Sequence, residues 1–166
     1  MFEAKVVYQI DGWKFTAEFK EKFLIKLSSE RIFTSEKAIL VLSSGVDKNG
    51  LIERFIEDFD AYMEGKQVDF LWLDLFYKGY SAFYVRVWEV LRHHVRWGEV
   101  ITYGDLSDKL GLGRGGARAV GMALKKNPFL IVVPCHRVIK ADGSIGKFSA
   151  GVELKKYLLK KEKIIK

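Results

Sequence analysis

The sequence predicts an α+β (α/β) fold in two parts: an antiparallel sheet carrying one helix, then a mostly helical half containing a helix-turn-helix. Three observations carry this expectation. Runs rich in Val, Ile, Phe and Tyr flank Asp11-Gly12, a dipeptide that tolerates the positive φ of a tight hairpin. Between Leu51 and Met63 apolar residues recur at helical spacing, with Glu53, Arg54, Glu57, Asp58 and Asp60 between them. Past Thr102, two short helical segments are separated by a turn holding Gly111, Gly113, Gly115 and Gly116.

In chain order, residues 2–10 and 13–28 read as strands with partial alternation. Residues 51–64 read as an amphipathic helix laid on the sheet by Leu51, Ile52, Phe55, Ile56, Phe59, Tyr62 and Met63, with Gly65 as its stop. No chemical motif falls in this half, whose expected role is structural. The boundary is set at Lys78-Gly79-Tyr80-Ser81, giving one domain over 1–79 and a second over 80–166. Ser81 is the N-cap of a helix over 82–96 whose polar stripe is Arg86, Glu89, His93 and Arg96. His93 is thus expected at the surface and His94 nearer the apolar side.

Thr102 and Asp105 have capping-box spacing and open a short helix that ends at Leu110. The next helix, 116–126, stops at Asn127-Pro128 and is nearly bare, with Ala117, Ala119, Gly121 and Ala123, while Arg118 projects from its start. Such a helix either lets its backbone approach another surface closely or packs tightly on a neighbour, Arg118 then being an ordinary surface charge. Residues 129–133 read as a buried strand, and 150–163 as a last helix with Leu154, Leu158 and Glu162 on one broad face.

Composition narrows the function. At 166 residues, 49% hydrophobic and 30% charged with 2 prolines, the chain is globular rather than disordered or collagenous. No apolar run approaches the roughly 18 residues of a membrane span, and the start lacks a secretory pattern, so the cytosol is the expected compartment. One cysteine and 3 histidines offer no intrachain disulfide and no zinc spacing. Asn and Gln are confined to Asn49, Asn127, Gln9 and Gln67, a bias of hyperthermophile proteins; a melting temperature near about 50 °C would contradict that origin.

Net charge is +7, divided as −3 over residues 1–80 and +10 over 81–166. The basic half is the candidate for binding a polyanion. The lysines of the last helix, Lys155, Lys156, Lys160, Lys161, Lys163 and Lys166, fit a plain solvated face equally well.

Chemistry concentrates at Pro134-Cys135-His136-Arg137. Neighbouring strand residues face opposite ways, so Cys135 and His136 cooperate only if the chain leaves the strand, and Pro134 suits that turn. A thiolate there, beside a histidine and Arg137, is expected to have a lowered pKa. Alone on an apolar strand, a cysteine is more often an inert core residue. His136 needs a partner to fix its tautomer if it is to act as a base. Glu162 is a candidate, and a frayed terminal surface glutamate is the alternative.

PCHRVI at Pro134 to Ile139, RAVG at Arg118 to Gly121, Asn127-Pro128, GEVITYG at Gly98 to Gly104 and SIGKFSAG at Ser144 to Gly151 together resemble the O6-alkylguanine-DNA alkyltransferases. The resemblance runs over residues 81–162, in order and in spacing. It implies a ribonuclease-H-like N-terminal part and a winged-helix-like C-terminal part. It also implies direct-reversal repair, with the alkyl group of O6-alkylguanine, and of O4-methylthymine, moved irreversibly onto Cys135. His136 would take the thiol proton through a water, Glu162 would hold His136, Tyr103 would donate a proton toward the base, and Asn127 would brace the turn.

The resemblance further implies a duplex DNA partner bound through its minor groove, with Ala117, Ala119, Gly121 and Tyr103 at the surface and Arg118 filling the stack vacated by a flipped base. Val138 and Ser149 would read the guanine through their backbones, beside an apolar wall of Leu124, Leu130 and Phe148. A monomer with no cofactor and no metal is expected, since the cysteines and histidines that bind zinc in some relatives are missing from this N-terminal half. Relatives that only sense lesions carry tryptophan where Cys135 stands, so the cysteine argues against that alternative. A helix-turn-helix transcription factor would need polar base-reading side chains on the bare helix, and a Cys-His hydrolase would turn over repeatedly.

Overall fold

A computed structural model describes residues 1–166. Strands β1 (Glu3–Ile10), β2 (Trp13–Lys20), β3 (Phe23–Arg31), β4 (Ala38–Ser44) and β5 (Asp74–Leu75) form one sheet in the order β4-β1-β2-β3-β5, antiparallel except for the β3–β5 pair. The hairpin at Asp11-Gly12 has positive φ at both positions, 52° and 79°, which twists the turn the way the strands twist. The run expected over 13–28 is broken by a second tight turn, with Glu21 at φ 52°, so it supplies two strands. The sheet also gains β4, whose residues are exposed throughout.

Trp13, Phe15, Ala17 and Phe19 alternate onto the buried face, where α1 (Leu51–Met63) covers them. Phe59 stacks edge-on against Tyr8 and Phe15 at 5.0 and 5.4 Å, and Phe55 against Phe19 at 5.0 Å. The Asp47 carboxylate accepts from the amides of Leu51 and Ile52 at 3.1 and 2.9 Å, satisfying two of the helix's free amides.

The second half runs through α2 (Ala82–His94), β6 (Ile101–Thr102), α3 (Tyr103–Lys109), a 3-10 turn (Arg114–Gly116), α4 (Ala117–Lys125), a 3-10 turn (Cys135–Arg137), β7 (Val138–Ile139) and α5 (Val152–Lys161). Ser81 caps α2 by accepting from the Tyr84 amide at 3.2 Å, and Thr102 caps α3 by accepting from Asp105 at 3.1 Å. β6 and β7 pair in parallel. Buried Trp88 of α2 donates its indole N–H to Ala123 O at 2.9 Å, which fixes α4 against α2. One apolar cluster of 38 residues extends through both halves.

The fold is therefore the expected mixture of sheet and five helices, with local corrections. Residues 129–133 are buried but are not a strand. Phe129 makes a single bridge with Leu27, after which Val132 N bonds Leu130 O, Val133 N bonds Phe129 O, and Ile131 takes φ 68°. The segment satisfies its polar backbone by turning on itself. His94 is exposed, with Nδ1 against Val90 O. The residue that α2 buries instead is Arg92, whose guanidinium donates to the carbonyls of Phe70 and Leu73. No helix is long and apolar enough to cross a membrane.

Candidate active site

Pro134 ends the buried turn, and Cys135 opens the 3-10 turn that follows. The Asn127 side chain organises both. Its Oδ1 accepts from the Phe129 amide at 2.8 Å, while its Nδ2 donates to Val133 O at 3.0 Å and to Cys135 Sγ at 3.1 Å. Asn127 thus ties the helix-stop dipeptide to the sulfur.

Cys135 is 4% exposed, and burial pushes its thiol up to about 11, against the opposing pull of the Asn127 amide and the Lys155 ammonium. The lowered pKa expected from its sequence neighbours is thereby overturned. Arg137 does not serve the sulfur, because its Nε and Nη2 bond Glu162 at 2.8 and 3.0 Å. The resting sulfur is a thiol, so a base must remove its proton as it reacts.

The next residue, His136, is fully buried. Leu154, Leu158 and Glu162 do share the inward face of the last helix, and Glu162 stands at its C-cap, 1% exposed. Burial alone would raise the Glu162 pKa, but the His136 ring and the Arg137 guanidinium hold it at about 2. The ionised carboxylate can only accept, so the 2.6 Å contact between its Oε1 and His136 Nε2 puts the ring proton on Nε2. His136 Nδ1 is left as an unprotonated nitrogen, buried and without a protein partner. Burial lowers the imidazole pKa against the pull of Glu162, which keeps the ring neutral.

Two members of this cluster come from the half expected to be structural only. Tyr62 of α1 donates its hydroxyl to Glu162 Oε1 at 2.6 Å, and Asp69 accepts from Arg137 Nη1 at 3.0 Å. The one sequence signal for Tyr62 was its hydroxyl on an otherwise apolar stripe, because a buried tyrosine needs a hydrogen-bond partner.

A cavity of about 280 Å³ opens onto Cys135 and is lined by Tyr103, Gly121, Leu124, Lys125, Lys147, Phe148 and Ser149. Two larger clefts, about 710 and 630 Å³, lie along the sheet and contain no cysteine or histidine. Burial and the nearby sulfur raise the Tyr103 pKa, so this hydroxyl keeps its proton at neutral pH. Gly121 lies where an added Cβ would stand 3.8 Å from the Tyr103 ring.

Along α4, Arg118 and Ala119 are exposed, Ala117 is half-buried, and Ala123 is buried. Leu130 does not line the cavity; its amide is bonded to Leu27 O at 3.1 Å, and its side chain faces a separate cleft beside β3. Val138 is buried outside the lining, and its carbonyl accepts from Lys155 Nζ at 2.6 Å, leaving one lone pair for another donor. No three residues among His, Cys, Asp and Glu group as a metal site.

The profile of the family described as "6-O-methylguanine DNA methyltransferase, DNA binding domain" matches residues 82–164. The methylated-DNA-protein-cysteine methyltransferase of Metallosphaera sedula is 43% identical over 117 residues, 70% of each chain. That of Sulfurisphaera tokodaii is 40% identical over 137 residues, 78% of this chain and 83% of its own. Among solved structures, Mycobacterium tuberculosis OGT in complex with DNA superposes with TM-score 0.73 at 29% identity, covering 95% of this chain and 91% of that one. The O6-methylguanine-DNA methyltransferase from Pyrococcus kodakaraensis superposes with TM-score 0.64 at 28% identity, covering 90% and 91%.

Proposed function

The chain belongs to the methylated-DNA-protein-cysteine methyltransferase family and is an enzyme of alkyl-transfer DNA repair, and we propose that Cys135 is both its nucleophile and its final acceptor. The observation that carries this assignment is the buried thiol followed at once by His136, whose Nε2–H is held by ionised Glu162 and whose Nδ1 is free.

In the proposed step the Cys135 thiol proton passes toward His136 Nδ1 through a bridging water. The sulfur bonds the alkyl carbon at O6 of guanine, the carbon–oxygen bond breaks, and the electron pair stays on the base. Tyr103 then donates its hydroxyl proton toward the purine and regains one from water as His136 releases the thiol proton, so the sum is thiol plus alkylated base going to thioether plus guanine. Asn127, donating to Sγ, lowers the cost of developing thiolate. The thioether has no route back to thiol, so each chain reacts once. O4-methylthymine would follow the same course.

An O6 substituent cannot reach a buried thiol from within a duplex, so the nucleotide must be rotated out at a cost of a few kcal/mol. Exposed Arg118 is proposed to fill the vacated stack, and the bare outer face of α4 to lie in the minor groove with Ala117, Ala119, Gly121 and Tyr103. Ser149 and the Val138 backbone would read the guanine between Leu124 and Phe148.

On this reading residues 80–166 form a winged-helix-like domain for DNA and transfer, and residues 1–79 a ribonuclease-H-like support. The protein is then a cytoplasmic monomer acting on double-stranded DNA. Cys135→Ala should abolish transfer from O6-methylguanine duplex while sparing binding to it, and retained transfer would refute the assignment.

A further inference from the structure

We infer that Tyr62, supplied by α1 from the N-terminal half, is a positioning residue for alkyl transfer: its hydroxyl, donated to Glu162 Oε1, fixes how strongly Glu162 holds the His136 base. The inference rests on the proposed role of His136. Glu162 Oε1 accepts from three donors, Tyr62 Oη and His136 Nε2 at 2.6 Å each and Arg137 Nη2 at 3.0 Å. Tyr62 is fully buried, and its oxygen also lies 3.4 Å from His136 Nε2.

A carboxylate oxygen shared among several donors has less negative charge to offer any one of them. Tyr62 therefore weakens the attraction that would hold His136 as an imidazolium, and keeps the imidazole neutral with Nδ1 able to take the thiol proton. Once Nδ1 is protonated, the Nε2–H stays hydrogen-bonded to Glu162, and the transferred proton has gone from sulfur to that ring and nowhere else.

The other charged groups facing this cluster are Lys155 from α5, Arg137 from the turn and Asp69 from the segment after α1, with Tyr157 of α5 acting on Tyr62. Lys155 and Arg137 oppose an imidazolium, and Asp69 is engaged by Arg137. Tyr62 adds an uncharged hydroxyl donor to this set. Its own pKa is raised well above the usual tyrosine value, first by burial and then by Glu162, so it donates throughout the working pH range.

Tyr62→Phe keeps the ring that packs 5.9 Å from Phe70 and removes only the hydroxyl. The test has two arms. In the first, imidazole NMR titration of the DNA-free protein should show the His136 pKa raised in Tyr62→Phe by about half a unit to one unit. In the second, single-turnover transfer from O6-methylguanine duplex is followed from about pH 4.5 to about pH 8, a window set low because burial moves this imidazole below its ordinary value.

The acid limb of the rate profile should move upward by the same amount. Rates on that limb should fall by about three- to tenfold, while the plateau stays within about twofold. Glu162→Gln combined with Tyr62→Phe should give the profile of Glu162→Gln alone, because Tyr62 acts through that carboxylate. An unmoved His136 titration overturns the inference. So does a uniform loss of rate at every pH, or an effect of Tyr62→Phe that persists undiminished beside Glu162→Gln. A wild-type protein that transfers nothing while its His136 pKa still responds to Tyr62→Phe would refute the alkyl-transfer reading and leave the Tyr62 coupling standing.

Discussion

Asn127→Ala perturbs the site through one side chain that makes three hydrogen bonds. The Phe129 amide has the Asn127 carbonyl oxygen as its partner and is fully buried, so truncation strands a donor, which costs roughly 2 kcal/mol. Val133 O loses the Asn127 amide but keeps the Cys135 N–H at 2.8 Å, so roughly 1 kcal/mol goes with that bond. The sum, about 3 kcal/mol, corresponds to a drop of about 6–12 °C in melting temperature for a chain of this size.

The third bond, to Cys135 Sγ, bears on reactivity rather than resting stability. Without it the thiol pKa should climb above about 11 and alkyl transfer should slow by more than tenfold at neutral pH. Circular dichroism melts and single-turnover transfer would be measured on the same preparation. Asn127→Asp is the informative partner, because it keeps the acceptor for Phe129 N–H but turns an acceptor toward Val133 O and Sγ. It should transfer more slowly than Asn127→Ala. A melting point within about 2 °C of wild type for Asn127→Ala, or Asn127→Asp reacting as fast as wild type, would refute this account of the turn.

Three other outcomes are expected. The Glu162 pKa falls from 4.5 unfolded to about 2 folded, so its stabilisation, on the order of 3 kcal/mol, is present above about pH 4.5 and is lost as the pH falls toward about 2. Denaturation midpoints across that window should fall steeply in wild type and more shallowly in Glu162→Gln; parallel curves would contradict the assignment. Arg118→Ala should slow repair of duplex more than reaction with the free modified base, and equal slowing would remove its part in flipping. Duplex binding should weaken steeply in a log–log plot against salt, and a flat line would deny phosphate contacts.

What the sequence made legible was local. Asp11-Gly12 marked the hairpin because positive φ is written into the residue pair, and Thr102 with Asp105 marked the start of α3 because capping spans three residues. Four-residue spacing of Leu154, Leu158 and Glu162 made Glu162 an inward candidate, and only the family resemblance chose that reading over a frayed surface glutamate. The misreadings came from burial and distance. Residues 129–133 lack any periodicity that separates a buried turn from a buried strand. Nothing beside Arg92 in sequence shows that the Phe70 and Leu73 carbonyls will receive its charge. The raised thiol pKa followed from enclosure, while Arg137, whose charge could have lowered it, turns to Glu162; neighbouring residue types report neither. Tyr62 and Asp69 lie 74 and 68 positions from the residues they contact in the Cys135–Arg137 turn, beyond the reach of any motif.

The central claim is that one cysteine accepts one alkyl group and keeps it. Intact mass spectrometry after incubation with duplex DNA containing O6-methylguanine, followed by peptide mapping, addresses this directly. The account predicts a mass increase of a single methyl group, located on Cys135, saturating at one per chain as guanine is restored. An unchanged protein mass with the lesion still bound, or methyl groups released over many turnovers, would contradict it.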